Sequence, residues 1–303
     1  MYPDLRVETG GLKLKNPVIL ASGPFGYNIK GLKRFASEGF SAVTSKTLTP
    51  VPWAGNPPPR SVSVKPYYLF NSDGLRNPGF KNFCDELSTW DVDDVPVIVS
   101  ITAGSIEEWV EGARMMEEAG AAAIQLNTAC GHIPDETCWG AYWSADPWRF
   151  TDMVRSVKRA VGIPVWVKTT NAELAEKAGA DADVIGGFYS GVVIDLKTGK
   201  PRIGTLEHSA TVTGPPAKPV GLRSVALSAK KVGIPLIGSG GVSTGYDVIE
   251  YIMVGASAVE LYTAAYWEGP GVVKKILEQI ESFMVGEGIR SLDEIKGKSL
   301  QFL

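Results

Sequence analysis

Apolar residues in this chain cluster into short, largely apolar runs, separated by stretches in which they recur every three or four positions. The runs lie at 17–20, 42–44, 95–101, 121–126, 165–168, 182–185, 235–238 and 259–262. Val, Ile and Ala in sequence, with no alternating polar face, suit strands buried on both sides, as in a parallel sheet covered by helices. Helical patterns fall between them, at 31–38, from Phe80, at 148–161 and at 245–254, with a stretch of about two turns at 171–179. The helix after Ser105 has capping-box spacing to Glu108, a predicted buried face of Trp109, Ala113, Met116 and Ala119, and Gly120 as its stop. Counting gives about eight strands in alternation with helices, which favours a closed (β/α)8 TIM barrel over an open doubly wound sheet. No G-x-G-x-x-G follows the first strand, so a dinucleotide-binding fold is the weaker reading.

A length of 303 residues with 44% apolar and 21% charged composition fits that architecture as one domain over 1–303. The net charge of -3, with Lys and Arg spread along the chain, gives neither a basic stripe for nucleic acid nor a polybasic membrane patch. No run of about 18 apolar residues occurs and residues 1–7 lack a signal-peptide pattern, so a soluble, cytoplasmic protein that binds small molecules is expected. Cys84, Cys130 and Cys138 form no C-x-x-C pair, which argues against a disulfide framework, a structural zinc or an iron–sulfur cluster, and no metal site is predicted.

Parallel barrels gather their chemistry at the C-terminal ends of the strands. The run at 121–126 ends in Asn127, Cys130 and His132, an amide, a thiol and an imidazole within six residues. Lys46 and Thr47 follow the second run, Lys168 ends the fifth, and Asn71 opens the Gly- and Asn-rich loop 71–79. The glycine-rich loop 238–245 and the segment 262–264 follow the last two strands, where backbone N–H groups commonly cradle a phosphate. Residues 131–148 carry Trp139, Tyr142, Trp143 and Trp148 and are predicted to form an aromatic active-site lid. A phosphate cradle, two lysines and a cysteine suit a phosphorylated flavin: lysine favours negative charge on the reduced ring, and cysteine moves a proton. Two other readings fit the same residues: a phosphate-binding lyase using Lys168 as a Schiff base, and a flavin-holding subunit that only passes electrons.

Several motifs together resemble the dihydroorotate dehydrogenases: Asn16-Pro17-Val18-Ile19-Leu20-Ala21-Ser22-Gly23, Thr44-Ser45-Lys46-Thr47, Gly55-Asn56-Pro57-Pro58-Pro59-Arg60, the segment 71–79, Thr213-Gly214-Pro215-Pro216, Ser239-Gly240-Gly241-Val242 and 252–264. The resemblance covers nearly the whole chain and is to the soluble class with a cysteine base. It implies an FMN oxidoreductase that interconverts CH–CH and C=C in a small, pyrimidine-like ring. It also implies a homodimer and leaves room for a separate electron-transfer subunit. Carried over, Ala21, Ser22, Lys46, Thr47, Ser100, Asn127, Lys168, Gly214, Gly240, Gly241, Tyr262 and Thr263 would line FMN. Asn71, Asn127 and His132 would touch substrate, with Cys130 and Lys46 catalytic.

Two departures bear on the substrate. The family usually reads Asn-x-Ser-Cys-Pro-Asn around the cysteine, whereas this chain has Asn127-Thr128-Ala129-Cys130-Gly131-His132, and its histidine leans towards the dihydropyrimidine dehydrogenases. An expected Asn-Thr or Asn-Ser substrate pair is replaced by Gly186-Gly187-Phe188-Tyr189, which predicts a weaker hold on orotate, roughly 1–3 kcal/mol for each missing bond.

Overall fold

The structure is a computed structural model and describes residues 3–131, 133, 137–187, 189–203 and 210–303. The chain opens with a hairpin of β1 (Val7–Thr9) and β2 (Leu12–Leu14). Then come β3 (Val18–Leu20), α1 (Ile29–Ala36), β4 (Ala42–Thr44), β5 (Ser61–Val64), β6 (Tyr68–Asn71), α2 (Phe80–Leu87) and β7 (Val97–Ile101). Next are α3 (Ile106–Glu118), β8 (Ala123–Asn127), α4 (Ala141–Ser144), α5 (Pro147–Ala160), β9 (Val165–Lys168), α6 (Ala172–Ala178) and β10 (Ala182–Gly186). The remainder is β11 (Ser190–Gly191), β12 (Ala210–Thr213), α7 (Lys218–Ala229), β13 (Leu236–Ser239), α8 (Gly245–Met253), β14 (Ala258–Leu261), α9 (Thr263–Glu268) and α10 (Val272–Gly286). Strands β3, β4, β7, β8, β9, β10, β13 and β14 pair in parallel in that order, and β14 closes on β3, so the expected (β/α)8 barrel is present.

Side chains enter the barrel at every second strand position. At its N-terminal end the inward residues alternate in size around the ring: Ile19, Ala42, Ile98, Ala123, Trp166, Ala182, Ile237 and Ala258, all fully buried. Large residues from one set of alternate strands fill the space left by alanines of the other, the layering that makes a barrel core solid. The indole N–H of Trp166 donates to Gly10 O at 2.7 Å, so the hairpin β1–β2 stoppers this end. Two residues further along, β4, β8 and β14 present Thr44, Gln125 and Glu260, and the interior turns polar. Ser100, Lys168 and Ser239 follow at the mouth.

Outside the strands the helices pack through faces that the apolar spacing foretold. In α3 the buried residues are Trp109, Gly112, Ala113 and Met116, while Ala119 serves as the C-cap. Ser105 Oγ accepts the Glu108 N–H at 3.2 Å, but the Glu108 carboxylate takes Gly104 N–H at 2.9 Å, so only half of the capping box forms. Helix α6 spans only seven residues, stopped by Gly179 in the left-handed conformation.

A second sheet, antiparallel in the order β11-β12-β6-β5, was not evident from the apolar runs. Its strands are two to four residues long, and it has its own small core of Val62, Phe70, Ile203, Ala210 and Val212. Among the described residues no helix is long and apolar enough to cross a membrane.

Candidate active site

The second sheet and the barrel mouth enclose a cavity of about 960 Å³, within the upper range of small-molecule sites. From the barrel it is lined by Ala21, Ser22, Lys46, Thr47, Asn127, Cys130, Lys168, Ser239 and Tyr262. From the second sheet and its flanks come Ser61, Asn71, Tyr189, Ser190, Thr211 and Thr213. Asn71 sits where β6 pairs with both neighbours, opposite Ser61 and Thr211, so its position is fixed by backbone bonding on two sides.

Thr47 organises one wall. Its Oγ1 receives the Asn127 Nδ2–H at 2.9 Å and shares hydrogen bonds with Ser100 Oγ at 2.9 Å and Ser22 Oγ at 3.3 Å. Asn127 Oδ1 meanwhile accepts Ala129 N–H at 3.2 Å, so both ends of this amide are committed and its orientation is set. Ser100 is fully buried behind Thr47 and does not line the cavity; it supports the wall.

Three residues after Asn127 comes Cys130, partly buried and facing the cavity. Its carbonyl accepts the Ala141 N–H at 2.8 Å, at the start of α4. That helix is in turn tied to the barrel: Gly140 N–H donates to Thr102 Oγ1 at 2.9 Å, Trp143 Nε1–H to Ala103 O at 2.7 Å and Ser144 Oγ–H to Thr128 O at 2.9 Å. The cysteine thus stands on a loop clamped from behind. The aromatic residues expected to cover the site face elsewhere: Trp139 packs edge-on against Trp53 and Trp143 against Trp109, while Trp148 is exposed. Trp139, Tyr142, Trp143 and Trp148 are not among the cavity's lining residues. His132 lies outside the described residues.

Both lysines are ion-paired. Lys46 Nζ lies 2.9 Å from Asp73 Oδ2, and the Arg76 guanidinium, stacked over Tyr27, lies 3.7 Å from the other oxygen. The loop bearing Asp73 is shaped by Asn77, whose side chain accepts from Thr49 and Gly79 N–H and donates to Thr49 Oγ1 and Leu75 O. Lys168 Nζ is 2.5 Å from Glu260 Oε2, and Glu260 Oε1 accepts Gln125 Nε2–H at 2.8 Å. Asp73, Arg76, Gln125 and Glu260 were not singled out in the sequence; for Glu260 nothing local marks partners 92 and 135 residues away. Tyr262, stacked near Phe25, has its hydroxyl raised above the ordinary phenol value, by burial first and then by the Asp73 carboxylate.

The glycines divide into two roles. A Cβ at Gly186 would fall 1.9 Å from Ser239 O, at Gly187 2.4 Å from Ala217 O, and at Gly241 2.4 Å from Lys218 N. The ends of β10 and β13 and the start of α7 therefore meet backbone to backbone at Gly186 and Gly187, while Phe188, the other half of the place where a substrate-binding pair was sought, lies outside the described residues. Tyr189, Ser190 and Thr211 supply polar groups to that part of the cavity instead. Gly214 lies against Thr263, its added Cβ 3.3 Å from the threonine methyl, and Gly240 and Gly241 continue from the cavity-lining Ser239. Gly214, Gly240, Gly241 and Thr263 are not themselves among the cavity's lining residues, although their chain neighbours Thr213, Ser239 and Tyr262 are. Among the described residues no cluster of three or more His, Cys, Asp or Glu could hold a metal.

Comparison with known proteins gives a consistent result. Residues 4–284 match the family model for dihydroorotate dehydrogenase. A Methanocella arvoryzae protein named dihydroorotate dehydrogenase B (NAD(+)), catalytic subunit, is 37% identical over 298 residues, covering 96% of each chain. A Geobacter protein of the same name is 33% identical, over 97% of this chain and 98% of its own. A Solibacter usitatus protein provisionally named dihydroorotate dehydrogenase A (fumarate) is 35% identical, over 98% and 99%.

Proposed function

The chain belongs to the dihydroorotate dehydrogenase family, and from that premise we propose that its cavity holds FMN beside a small cyclic substrate, with Cys130 as the acid/base residue. The protein is an oxidoreductase of dihydroorotate dehydrogenase type, acting on CH–CH groups and dependent on a flavin. The observation that carries the finer reading is the convergence of Lys46, Asn127, Cys130 and Lys168 on one 960 Å³ cavity whose rim leads into the Gly240–Gly241 loop. Its size leaves room for a cofactor and a substrate together. The monophosphate fits better than a dinucleotide, because the glycine approaches are short and no dinucleotide fingerprint follows β3.

When bound, the flavin supplies the two-electron acceptor. The chain supplies the rest. Cys130 Sγ takes the proton that leaves the substrate carbon and returns it in the reverse direction, from a loop that the α4 clamp holds still. Asn71, Asn127 and, two positions beyond the cysteine, His132 bind the polar edge of the substrate ring. Lys46, held by Asp73, sets the charge at the catalytic centre. Ala21, Ser22, Thr47, Lys168 and Tyr262 face the cofactor, Ser100 braces Thr47, and Gly214, Gly240, Gly241 and Thr263 receive the phosphate. Residues 1–303 act as one catalytic domain, and residues 140–144 clamp the loop that carries Cys130.

Lys168 as a Schiff-base lysine is disfavoured on physical grounds, since an ammonium ion-paired 2.5 Å from a buried carboxylate is a poor nucleophile. The names of the relatives support dihydroorotate over the dihydropyrimidines of the uracil type, and the words catalytic subunit in them support a separate subunit that receives the electrons; a cytoplasmic homodimer follows from the family resemblance alone. Anaerobic mixing of the purified protein with dihydroorotate, dihydrouracil and dihydrothymine, followed by flavin absorbance, tests the assignment. Bleaching by dihydroorotate alone is expected; bleaching by none of the three would remove the ring substrate from the account.

A further inference from the structure

The cavity floor rests on a polar layer sealed inside the barrel. Glu260 on β14 is almost completely buried, and its two oxygens are engaged from different directions: Gln125 Nε2–H across the barrel interior, and Lys168 Nζ from the cavity side, with Ser239 Oγ at 3.4 Å. Gln125 is itself fully buried, so it has no solvent alternative to this bond. Strands β8 and β14 lie on opposite sides of the closed barrel, so the Gln125–Glu260 bond spans it. A buried carboxylate desolvated to this degree is retained only when it is paired and hydrogen-bonded. Among the described residues its ionic partner is a lysine that lines the cavity.

We propose that Glu260 is a positioning residue that tunes the flavin: it neutralises Lys168 and holds the ammonium back towards the floor, thereby lowering the potential of the cofactor above it. The inference rests on the flavin reading of the cavity. A cation near the ring favours the reduced, negatively charged form, and a carboxylate 2.5 Å from that cation cancels much of its field at longer range. Gln125 fixes the carboxylate so that the pair cannot rotate away from the cavity. Lys46 carries the same kind of pair with Asp73, but in the loop wall, so the two lysines can be tuned separately.

The test is the two-electron midpoint potential of the flavin-loaded protein, measured by dye-equilibrated reduction for wild type, Glu260→Gln, Glu260→Asp, Lys168→Met and the double variant Glu260→Gln with Lys168→Met. Glu260→Gln should favour the reduced flavin by about tenfold, a rise of about 30 mV for a two-electron couple. Glu260→Asp, which keeps the charge, should recover most of the wild-type value. In the Lys168→Met background the glutamate substitution should shift the potential less than twofold in equilibrium constant, since there is no cation left to release. A wild-type potential in Glu260→Gln, or an equal shift with Lys168 absent, would overturn the proposal while leaving flavin binding intact. If Glu260→Gln alone does not fold, the double variant, which removes both charges, must fold and load flavin; its failure to do so would also overturn the proposal. Wild-type protein that binds no flavin would overturn both this inference and the reading beneath it.

Discussion

The two ends of the barrel are built from the same eight strands and differ in nearly everything else. At the N-terminal end the interior is Ile, Ala and Trp in alternation, with one polar atom of note, the Trp166 N–H, satisfied by Gly10. At the C-terminal end the same inward positions carry Thr44, Ser100, Gln125, Lys168, Ser239 and Glu260. The lower end is a packing problem solved by volume; the upper end is an electrostatic problem solved by pairing. Stability and chemistry are therefore separable along the barrel axis, as is common for this architecture.

Substitutions at each end should expose that separation. Cys130→Ser at the mouth should slow substrate-driven flavin reduction by about 10²–10⁴-fold, read by anaerobic stopped flow, with thermal stability unchanged. Equal rates would take the thiol out of the reaction. Trp166→Ala at the opposite end should cost about 3–5 kcal/mol in chemical denaturation, because it empties the barrel plug and orphans the Gly10 carbonyl, while the rate per bound flavin stays close to wild type. A large loss of rate in the surviving folded fraction would show the two ends to be coupled.

A smaller effect lies between the barrel and its helices. Asp183 on β10 is fully buried, with Oδ1 accepting the Thr169 N–H at 3.3 Å. Burial pushes its carboxyl well above the ordinary range, against weaker opposing pulls from that N–H and from Lys168. A raised folded pKa means that the fold binds the proton more tightly than the unfolded chain, so this site costs stability progressively as pH rises from the unfolded value of about 3.9. Asp183→Asn should therefore raise Tm by about 2 °C or more at pH 7, with the gain vanishing towards pH 4. A gain that does not depend on pH would mean that ionisation of Asp183 is not its origin.

The barrel strands were legible because parallel strands buried on both faces leave contiguous apolar runs that no other element of this chain imitates. The second sheet was not, because β5, β6, β11 and β12 are too short to show a period and its central pairing, β6 with β12, spans more than a hundred residues, as between Asn71 and Thr211. Lys46, Asn127, Cys130 and Lys168 could be located from their place at strand ends, but their partners could not. Asp73 and Glu260 look like ordinary acidic residues until the fold sets them against lysines. Gly186 and Gly187 read as lost substrate contacts, and the fold supplies the reason for glycine there: the backbone of β13 and the start of α7 occupy the space a side chain would need. Trp139 and Trp143 of the loop beyond Cys130 are anchors, since Trp139 meets Trp53 edge-on and Trp143 spends its N–H on Ala103 and meets Trp109 edge-on.

The measurement that bears most directly on the whole account is the cofactor released from purified protein by acid denaturation, identified by chromatography and mass spectrometry and counted against polypeptide. FMN at about one per chain is expected, with Gly241→Ala lowering that occupancy. A colourless protein that takes up no FMN when it is supplied in excess would contradict it.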